Sequence, residues 1–224
     1  MSSPRAIATL LGKELRLEFR TRELLSATIV FSLVVEVLFS FAFDPSPADA
    51  RRIGPGLLWI AFLFAGSLML NPSFSRERAN DTLDALRLAP VSPWTILAGK
   101  LLANLIFMLL AEAVLVPVFG VLYNVTLLPV AGRMALVLFL GTLGLVTTGT
   151  VFSAISAQAR MRELLLPLLL LPVLTPLLIA SVEATAALFA DEPFIDRTWV
   201  PFLAGFDIVF LTAAWLLSDY LVEE

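Results

Sequence analysis

Four acidic side chains interrupt long apolar stretches, and they are the residues in this chain best placed to do chemistry. Glu36, Glu112 and Asp207 fall well inside such stretches, whereas Glu183 lies close to the end of one. An ionisable group inside a membrane segment is costly and usually marks function or specific packing. Each carboxyl group is therefore protonated and bonded to a neighbouring helix, exposed to a hydrated pathway, or used in proton coupling. The sequence leaves these three interpretations open.

The positions of three of these acids select them as candidate functional residues within the membrane. Counted along their stretches, Glu36, Glu112 and Asp207 fall at similar depths on three different segments. Neither lysine nor arginine occurs at that depth to neutralise them. Glu183 is close enough to the outer end to be interfacial, so we do not include it.

The remaining composition argues against an enzyme. The 224 residues include neither cysteine nor histidine, which removes thiolate chemistry, the commonest general base and the commonest transition-metal ligand. The sequence also lacks a glycine-rich phosphate-binding loop, so the chain would not hydrolyse ATP itself. We predict no catalytic residues, no metal site and no directly bound cofactor. A net charge of only −4 argues against nucleic acid as a partner.

Hydropathy places these acids in membrane spans. Hydrophobic residues make up 59% of the chain and charged residues 15%, against roughly a quarter charged in soluble domains. A helix needs about 20 mostly apolar residues to cross the hydrocarbon core. Six stretches qualify, at residues 24–43, 53–72, 97–123, 133–156, 164–186 and 199–220. The sequence predicts an all-α integral membrane protein, with residues 1–224 forming one membrane domain.

Proline and basic residues refine this arrangement. Pro167, Pro172 and Pro176 predict a kinked or broken fifth span.

Cytoplasmic loops carry an excess of lysine and arginine, and 11 of the 15 basic residues fall on the side of the N-terminus. With six spans, both termini are expected in the cytoplasm. The 11 are Arg5, Lys13, Arg16, Arg20, Arg22, Arg76, Arg78, Arg87, Lys100, Arg160 and Arg162.

Residues 1–22 are amphipathic rather than spanning. Ser3 and Pro4 are suited to the start of a helix. Apolar and basic residues then fall on different helical faces, which predicts an interfacial helix on the cytoplasmic leaflet. A solvated helical extension is the alternative. The apolar face contains Ile7, Leu10, Leu11 and Leu15, and the basic face contains Lys13, Arg16 and Arg20.

Residues 73–92 form the longest loop, between the second and third spans. Asn80 or Asp81 can cap a short helix, which Pro90 would end. A loop this long in an otherwise tightly connected protein is usually functional. We interpret it as a docking helix for a cytoplasmic partner; an ordinary polar loop is the alternative. The candidate docking residues are Asp81, Leu83, Asp84, Leu86 and Leu88.

Small and hydroxyl residues crowd the fourth span. Such residues allow helices to approach closely, so we expect tight packing rather than a ligand site. The residues are Gly141, Thr142, Gly144, Thr147, Thr148, Gly149, Thr150, Ser153 and Ser156.

Several stretches together resemble the CcmB family. They are residues 56–61 (GLLWIA), 76–90 (RERANDTLDALRLAP) and 99–101 (GKL), with further similarity at 13–20, 206–211 and 221–224. The resemblance implies a six-span ABC-2-type exporter permease with an N-terminal interfacial helix and a cytoplasmic coupling helix. It also implies a role in cytochrome c biogenesis in the bacterial inner membrane.

The same resemblance implies partners. They are an ATP-binding subunit similar to CcmA, membrane proteins similar to CcmC and CcmD, and a haem chaperone similar to CcmE. In that family, ATP hydrolysis by the partner helps release the haem-loaded chaperone in the periplasm. Because this chain has no histidine, we expect it to meet haem only indirectly, through partners.

Three other functions fit the same spans. The chain could be the permease of another ABC-2 exporter, for lipid, glycan or drug. It could be a proton-coupled transporter that uses its buried carboxyl groups, although only the fifth span is rich in proline and an inverted pair of broken helices is not evident. It could also be a passive scaffold.

Overall fold

The computed structural model describes residues 4–43, 47–74, 91–156, 162–190 and 195–223. Within these ranges the chain forms seven long α-helices and a short 3-10 turn at Leu128–Val130, and no strand. The helices are α1 (Pro4–Thr21), α2 (Glu23–Phe43), α3 (Pro47–Leu70), α4 (Pro93–Leu122), α5 (Ala131–Ser156), α6 (Arg162–Phe189) and α7 (Ile195–Glu223).

Six of these helices are long and apolar enough to cross a membrane. The qualifying segments begin and end within a few residues of the predicted spans, at Glu23–Phe43, Asp49–Phe74, Pro93–Leu122, Leu128–Ser156, Leu170–Phe189 and Thr198–Leu221. The predicted all-α membrane fold is therefore confirmed.

Helix α5 lies at the centre of the fold. It packs against α3, α4, α6 and α7, whereas α2 packs mainly on α3 and α4, and α1 lies along α4. Burial agrees with this arrangement. In the most apolar part of the span Leu128–Ser156, 56% of the residues are buried, against 17% in the spans Glu23–Phe43 and Thr198–Leu221. The largest side chains of the core include Trp59, Phe62, Met108, Phe119 and Leu145.

The fifth span differs from the expectation of a broken helix. Helix α6 runs without interruption from Arg162 to Phe189 and so continues through Pro167, Pro172 and Pro176. The predicted break is therefore absent, whereas a kink, the other predicted outcome, stays a prediction. A proline removes one backbone donor, but its fixed φ is itself helical, and neighbouring helices in a membrane protein can compensate for the lost bond.

A single residue outside both helices, Arg22, joins α1 to α2. Arg22 adopts a left-handed conformation, with a φ of 55°. Glu18 is buried, and its Oε1 accepts a hydrogen bond of 2.7 Å from the backbone N–H of Leu25. The first amides of a helix have no partner inside the helix. The carboxyl group of Glu18 therefore caps α2 from the preceding helix.

The two faces predicted for the N-terminal helix are present in α1. Ile7, Leu10, Leu11 and Leu15 are half-buried, and Lys13, Arg16 and Arg20 are exposed. Gly99 on α4 allows the close approach: a Cβ atom there would lie 2.9 Å from the Cβ of Leu10. The apolar face of α1 thus packs on α4.

Candidate functional site

Glu112 is buried where α4 meets α5. Only 2% of the residue is exposed, and its Oε1 accepts a short hydrogen bond from the Thr142 hydroxyl. Its Oε2 has no hydrogen-bond partner among the described residues. A polar group is much less costly to bury when it is hydrogen-bonded, and a neutral carboxyl group is less costly than a carboxylate. The geometry suits a packed interhelical contact.

Asp207 approaches the same turn of α5 from α7. It is 3% exposed, and neither carboxyl oxygen has a hydrogen-bond partner within the described ranges. A Cβ atom at Gly144 would lie 2.8 Å from Asp207 Oδ1, so the carboxyl group rests directly against that glycine. Glu112 and Asp207 therefore both contact the same turn of α5, which runs from Gly141 to Gly144.

Glu36 is also buried, at 1% exposed. Its backbone carbonyl accepts a 3.4 Å hydrogen bond from the hydroxyl of Tyr123. Tyr123 lies about three turns beyond Glu112 on the way to the outer end of α4. Glu36 therefore contacts α4 nearer to its C-terminal end than Glu112 does, and the similar depth of the three acids in the membrane stays a prediction.

The fully buried residues of α2 are all polar, although Leu25, Ile29 and Leu33 also pack against the core. The fully buried residues are Thr28, Ser32 and Glu36, spaced by four along the helix. Their side-chain oxygens have no hydrogen-bond partners in the part of the chain that the structure describes. Residues four apart lie on one helical face, so these three form a continuous polar stripe against α3 and α4.

A further buried polar contact joins α3 to α6. The indole Nε1 of Trp59 donates a 2.9 Å hydrogen bond to Thr185 Oγ1, and Thr185 donates in turn to the carbonyl of Ser181. A Cβ atom at Gly141 would overlap the Trp59 ring and would lie 2.7 Å from Ser181 Oγ. The absence of a side chain at Gly141 therefore makes room for this contact.

Close packing explains the glycine-rich fourth span. A side chain at Gly141 would meet Trp59, one at Gly144 would meet Asp207 and Leu177, and one at Gly149 would overlap Leu70. The prediction of tight packing is confirmed. The hydroxyl groups contribute direct interhelical bonds: Ser153 donates to the carbonyl of Leu70 at 2.7 Å.

The candidate docking residues Asp81, Leu83, Asp84, Leu86 and Leu88 lie outside the described residues. The structure does describe the residues that border this loop. Ser92 occupies the N-cap position of α4 and Pro93 the first helical position. The Ser92 hydroxyl bonds to the Thr95 hydroxyl at 2.8 Å rather than to a backbone amide.

A partly buried cluster of polar and charged residues around Lys100 lies on the other border of the loop, and the sequence analysis did not predict it. Lys100 Nζ donates to the carbonyl of Ser73 at 2.7 Å and to Glu14 Oε1 at 3.2 Å. Asn104 donates to the Ser73 hydroxyl at 3.1 Å. The available signal is a lysine eight positions into an apolar helix.

This cluster lines a cavity of about 510 Å³ between α1, α2, α3 and α4. Its lining includes Lys13, Glu18 and Glu23 together with Lys100 and Glu14. Burial alone would raise the pKa of Glu14, but the nearby ammonium groups of Lys100 and Lys13 outweigh it and lower that pKa below its ordinary value of 4.5. Glu14 is therefore ionised and paired at neutral pH.

The acidic side chains do not assemble a metal site within the described ranges. These ranges contain no group of three or more residues of the types His, Cys, Asp and Glu placed to hold a metal ion. Glu183 is exposed, and its interfacial position stays a prediction.

Comparisons with known proteins give one consistent family. The sequence profile of the family described as CcmB protein matches residues 5–218. The chain is 33% identical over 207 residues to heme exporter protein B of Paracoccus denitrificans, covering 92% of this chain and 93% of that protein. It is 31% identical over 182 residues to heme exporter protein B of Bradyrhizobium diazoefficiens, covering 81% and 82%. It is 32% identical over 186 residues to the Pseudomonas aeruginosa protein of the same name, covering 82% of each.

Proposed function

This chain belongs to the CcmB family, and from that premise we propose that it is the membrane subunit of an ABC exporter serving haem delivery in cytochrome c biogenesis. The observation that carries the proposal is the match of the family profile over residues 5–218, together with six helices able to span a membrane. Relatives at about the same length bear the name heme exporter protein B.

Energy would come from a partner. This sequence has no glycine-rich phosphate-binding loop, so a separate ATP-binding subunit similar to CcmA would hydrolyse ATP. We propose that residues 81–88 dock on that subunit, with Leu83, Leu86 and Leu88 as the apolar contacts and Asp81 and Asp84 beside them. The described residues on either side of this segment include Ser73 and Ser92, and each makes a hydrogen bond within the membrane domain.

Haem would be handled chiefly by other components. Histidine is absent from all 224 residues, so the usual axial ligand is missing. We propose that membrane proteins similar to CcmC and CcmD and a chaperone similar to CcmE carry haem, and that this subunit couples ATP hydrolysis to chaperone release in the periplasm. The subunit would lie in the bacterial inner membrane with both termini in the cytoplasm, as the distribution of basic residues favours.

Co-purification tests the assembly directly. The full chain, extracted in mild detergent, should recover an ATP-binding subunit and small membrane partners that mass spectrometry can identify. Recovery of an ATP-binding subunit for lipid, glycan or drug export, with normal c-type cytochromes in a deletion strain, would contradict the proposal.

Two substitutions test the docking loop. Leu83→Asp and Leu86→Asp would each place a charge in a desolvated apolar contact, which is strongly unfavourable. We expect loss of the ATP-binding subunit with normal membrane insertion. The matched control is Leu128→Asp, because Leu128 is 88% exposed in the connection between α4 and α5. Unchanged association in both loop variants would remove the docking assignment.

A further inference from the structure

Lys100 joins three separate parts of the chain. Its Nζ donates to the backbone carbonyl of Ser73 after α3, pairs with Glu14 on α1, and lies 5.0 Å from the centre of the Phe74 ring. Lys100 itself is on α4 and is 4% exposed. An ammonium group has three donors and no acceptor, and these contacts direct it at a main-chain carbonyl and a carboxylate.

Burial of this charge is informative because it is costly. A buried ion pair contributes little net stability over apolar packing, whereas removal of one partner leaves an uncompensated charge. The contact therefore fixes position more than it adds stability. Lys100 holds Ser73 through its main-chain carbonyl, and this bond fixes the course of the backbone itself.

Gly99 and Lys100 act together on α1. The missing side chain at Gly99 lets α1 approach until the Cβ of Leu10 lies 2.9 Å from where a Cβ of Gly99 would be. The next residue, Lys100, then meets Glu14, one helical turn along α1 from Leu10. The glycine sets the distance between the two helices and the lysine sets their register.

The third contact lies at the root of the cytoplasmic loop. Ser73 and Phe74 are the last described residues before 75–90, the segment that contains residues 81–88, to which the proposed function assigns ATPase docking. The Phe74 ring is buried in a small cluster with Leu97, Ala154 and Ala214, apart from the main core. The root of the loop is therefore anchored to α4, α5 and α7 by packing and to α1 through Lys100.

We propose that Lys100 is a positioning residue: it ties Ser73, at the root of the ATPase-docking loop, to α1 and thereby favours binding of the ATP-binding subunit. This inference rests on the proposed function of the loop. A loop whose root is released spends less time in the docking arrangement, and the apparent affinity for the partner falls in proportion to that population.

The test compares Lys100→Met with Lys13→Met in the full chain reconstituted in nanodiscs. Methionine keeps the apolar stem and removes the ammonium group. Lys13 is the matched control because its Nζ also lies 3.2 Å from Glu14 Oε1. The bond to the Ser73 carbonyl, by contrast, comes from Lys100. In the Lys100→Met variant, Lys13 still pairs with Glu14. The measurements are the Kd of the purified ATP-binding subunit and, separately, the thermal unfolding midpoint.

We expect Lys100→Met to weaken the ATP-binding subunit by about fivefold or more, the lower end of ordinary coupling between sites, while Lys13→Met matches the parent. A lowered unfolding midpoint with unchanged Kd would mean a structural role only and would overturn the inference. An equal loss in Lys13→Met would also overturn it, because the effect would then belong to the charge around Glu14.

Leu83→Asp separates this inference from the proposed function. If Leu83→Asp loses binding and Lys100→Met does not, the positioning role fails and the docking loop stands. If neither variant changes Kd, or if only Lys100→Met does, the docking loop fails and this inference fails with it. If Lys100→Met does not fold, Glu14→Gln replaces it, because it removes the carboxylate on α1 that pairs with Lys100. A Kd equal to that of the parent, or a loss no greater than that in Lys13→Met, then overturns the inference.

Discussion

Trp59 and Thr185 are 126 residues apart in sequence and share a buried 2.9 Å hydrogen bond between α3 and α6. The indole N–H is a donor only, so a buried tryptophan requires an acceptor nearby. Here the acceptor is a threonine hydroxyl whose own proton is donated to the carbonyl of Ser181. Both hydrogen bonds therefore have a defined donor and a defined acceptor.

A double-mutant cycle measures this contact. Trp59→Phe removes the donor and keeps a ring, and Thr185→Val removes the acceptor and keeps the shape. We expect each to destabilise the protein by about 1–2 kcal/mol and the pair to be less than additive, as found for interhelical bonds in membranes. The free energy of unfolding in a steric-trapping assay gives the four values. Strict additivity would show that the bond contributes nothing.

Gly141 should not tolerate a side chain. A methyl group there would overlap the Trp59 ring, which is fully buried and held by its hydrogen bond. Overpacking of this kind usually costs about 1–3 kcal/mol. We expect Gly141→Ala to lower the unfolding midpoint. The control is Gly205→Ala, since a Cβ there meets nothing within 4 Å. It should be neutral or stabilising because alanine favours helix.

Amide variants distinguish packing from charge at the buried acids. Glu112→Gln keeps an acceptor for Thr142 and should be nearly silent. Asp207→Asn should assemble normally but lower the yield of c-type cytochromes, because the Asp207 oxygens have no hydrogen-bond partner in the described structure and its charge would serve a hydrated pathway. Glu36→Gln is assayed beside them. A fully active Asp207→Asn variant would show that its charge is dispensable.

The lowered pKa of Glu14 predicts how acid affects the packing of α1. Its folded-state pKa is below the ordinary value of 4.5, so ionisation favours the folded protein above that value. The contribution is lost as pH falls through the folded pKa. Parent and Glu14→Gln should therefore differ in unfolding midpoint by a constant amount at about pH 6 to 8 and converge in acid. A difference that grows on acidification would contradict the assignment.

Reporter fusions test the orientation. Fusions after Ser46 and Glu192 should be periplasmic, and fusions after Asp84 and Glu224 cytoplasmic, because six spans return the chain to the side on which it starts. A periplasmic signal at Glu224 would require an odd number of spans. Such a result would also place the docking loop and the C-terminus on opposite sides of the membrane.

The spans and the glycine packing could be predicted because they depend on local features of the sequence. A run of about 20 apolar residues is sufficient to identify a span, and small residues at helical spacing are sufficient to suggest a close approach. The partners could not be predicted in this way. Nothing near Trp59 in the sequence indicates Thr185, and nothing near Lys100 indicates Glu14, because both pairs depend on how separate helices pack.

The polar stripe of α2 has a consequence for how the protein is made. Thr28, Ser32 and Glu36 are buried against α3 and α4, both of which are synthesised later. When the first span leaves the translocon, Glu36 has no protein surface to cover it. Insertion at that moment depends on the apolar residues of the segment, whose mean hydropathy is 2.2 even with Glu36 included. These residues must offset the cost of the acid, which is about 2.5–3.5 kcal/mol for a charged residue such as Asp at the helix centre. The first span is thus completed as a packed element only after the third has entered the bilayer.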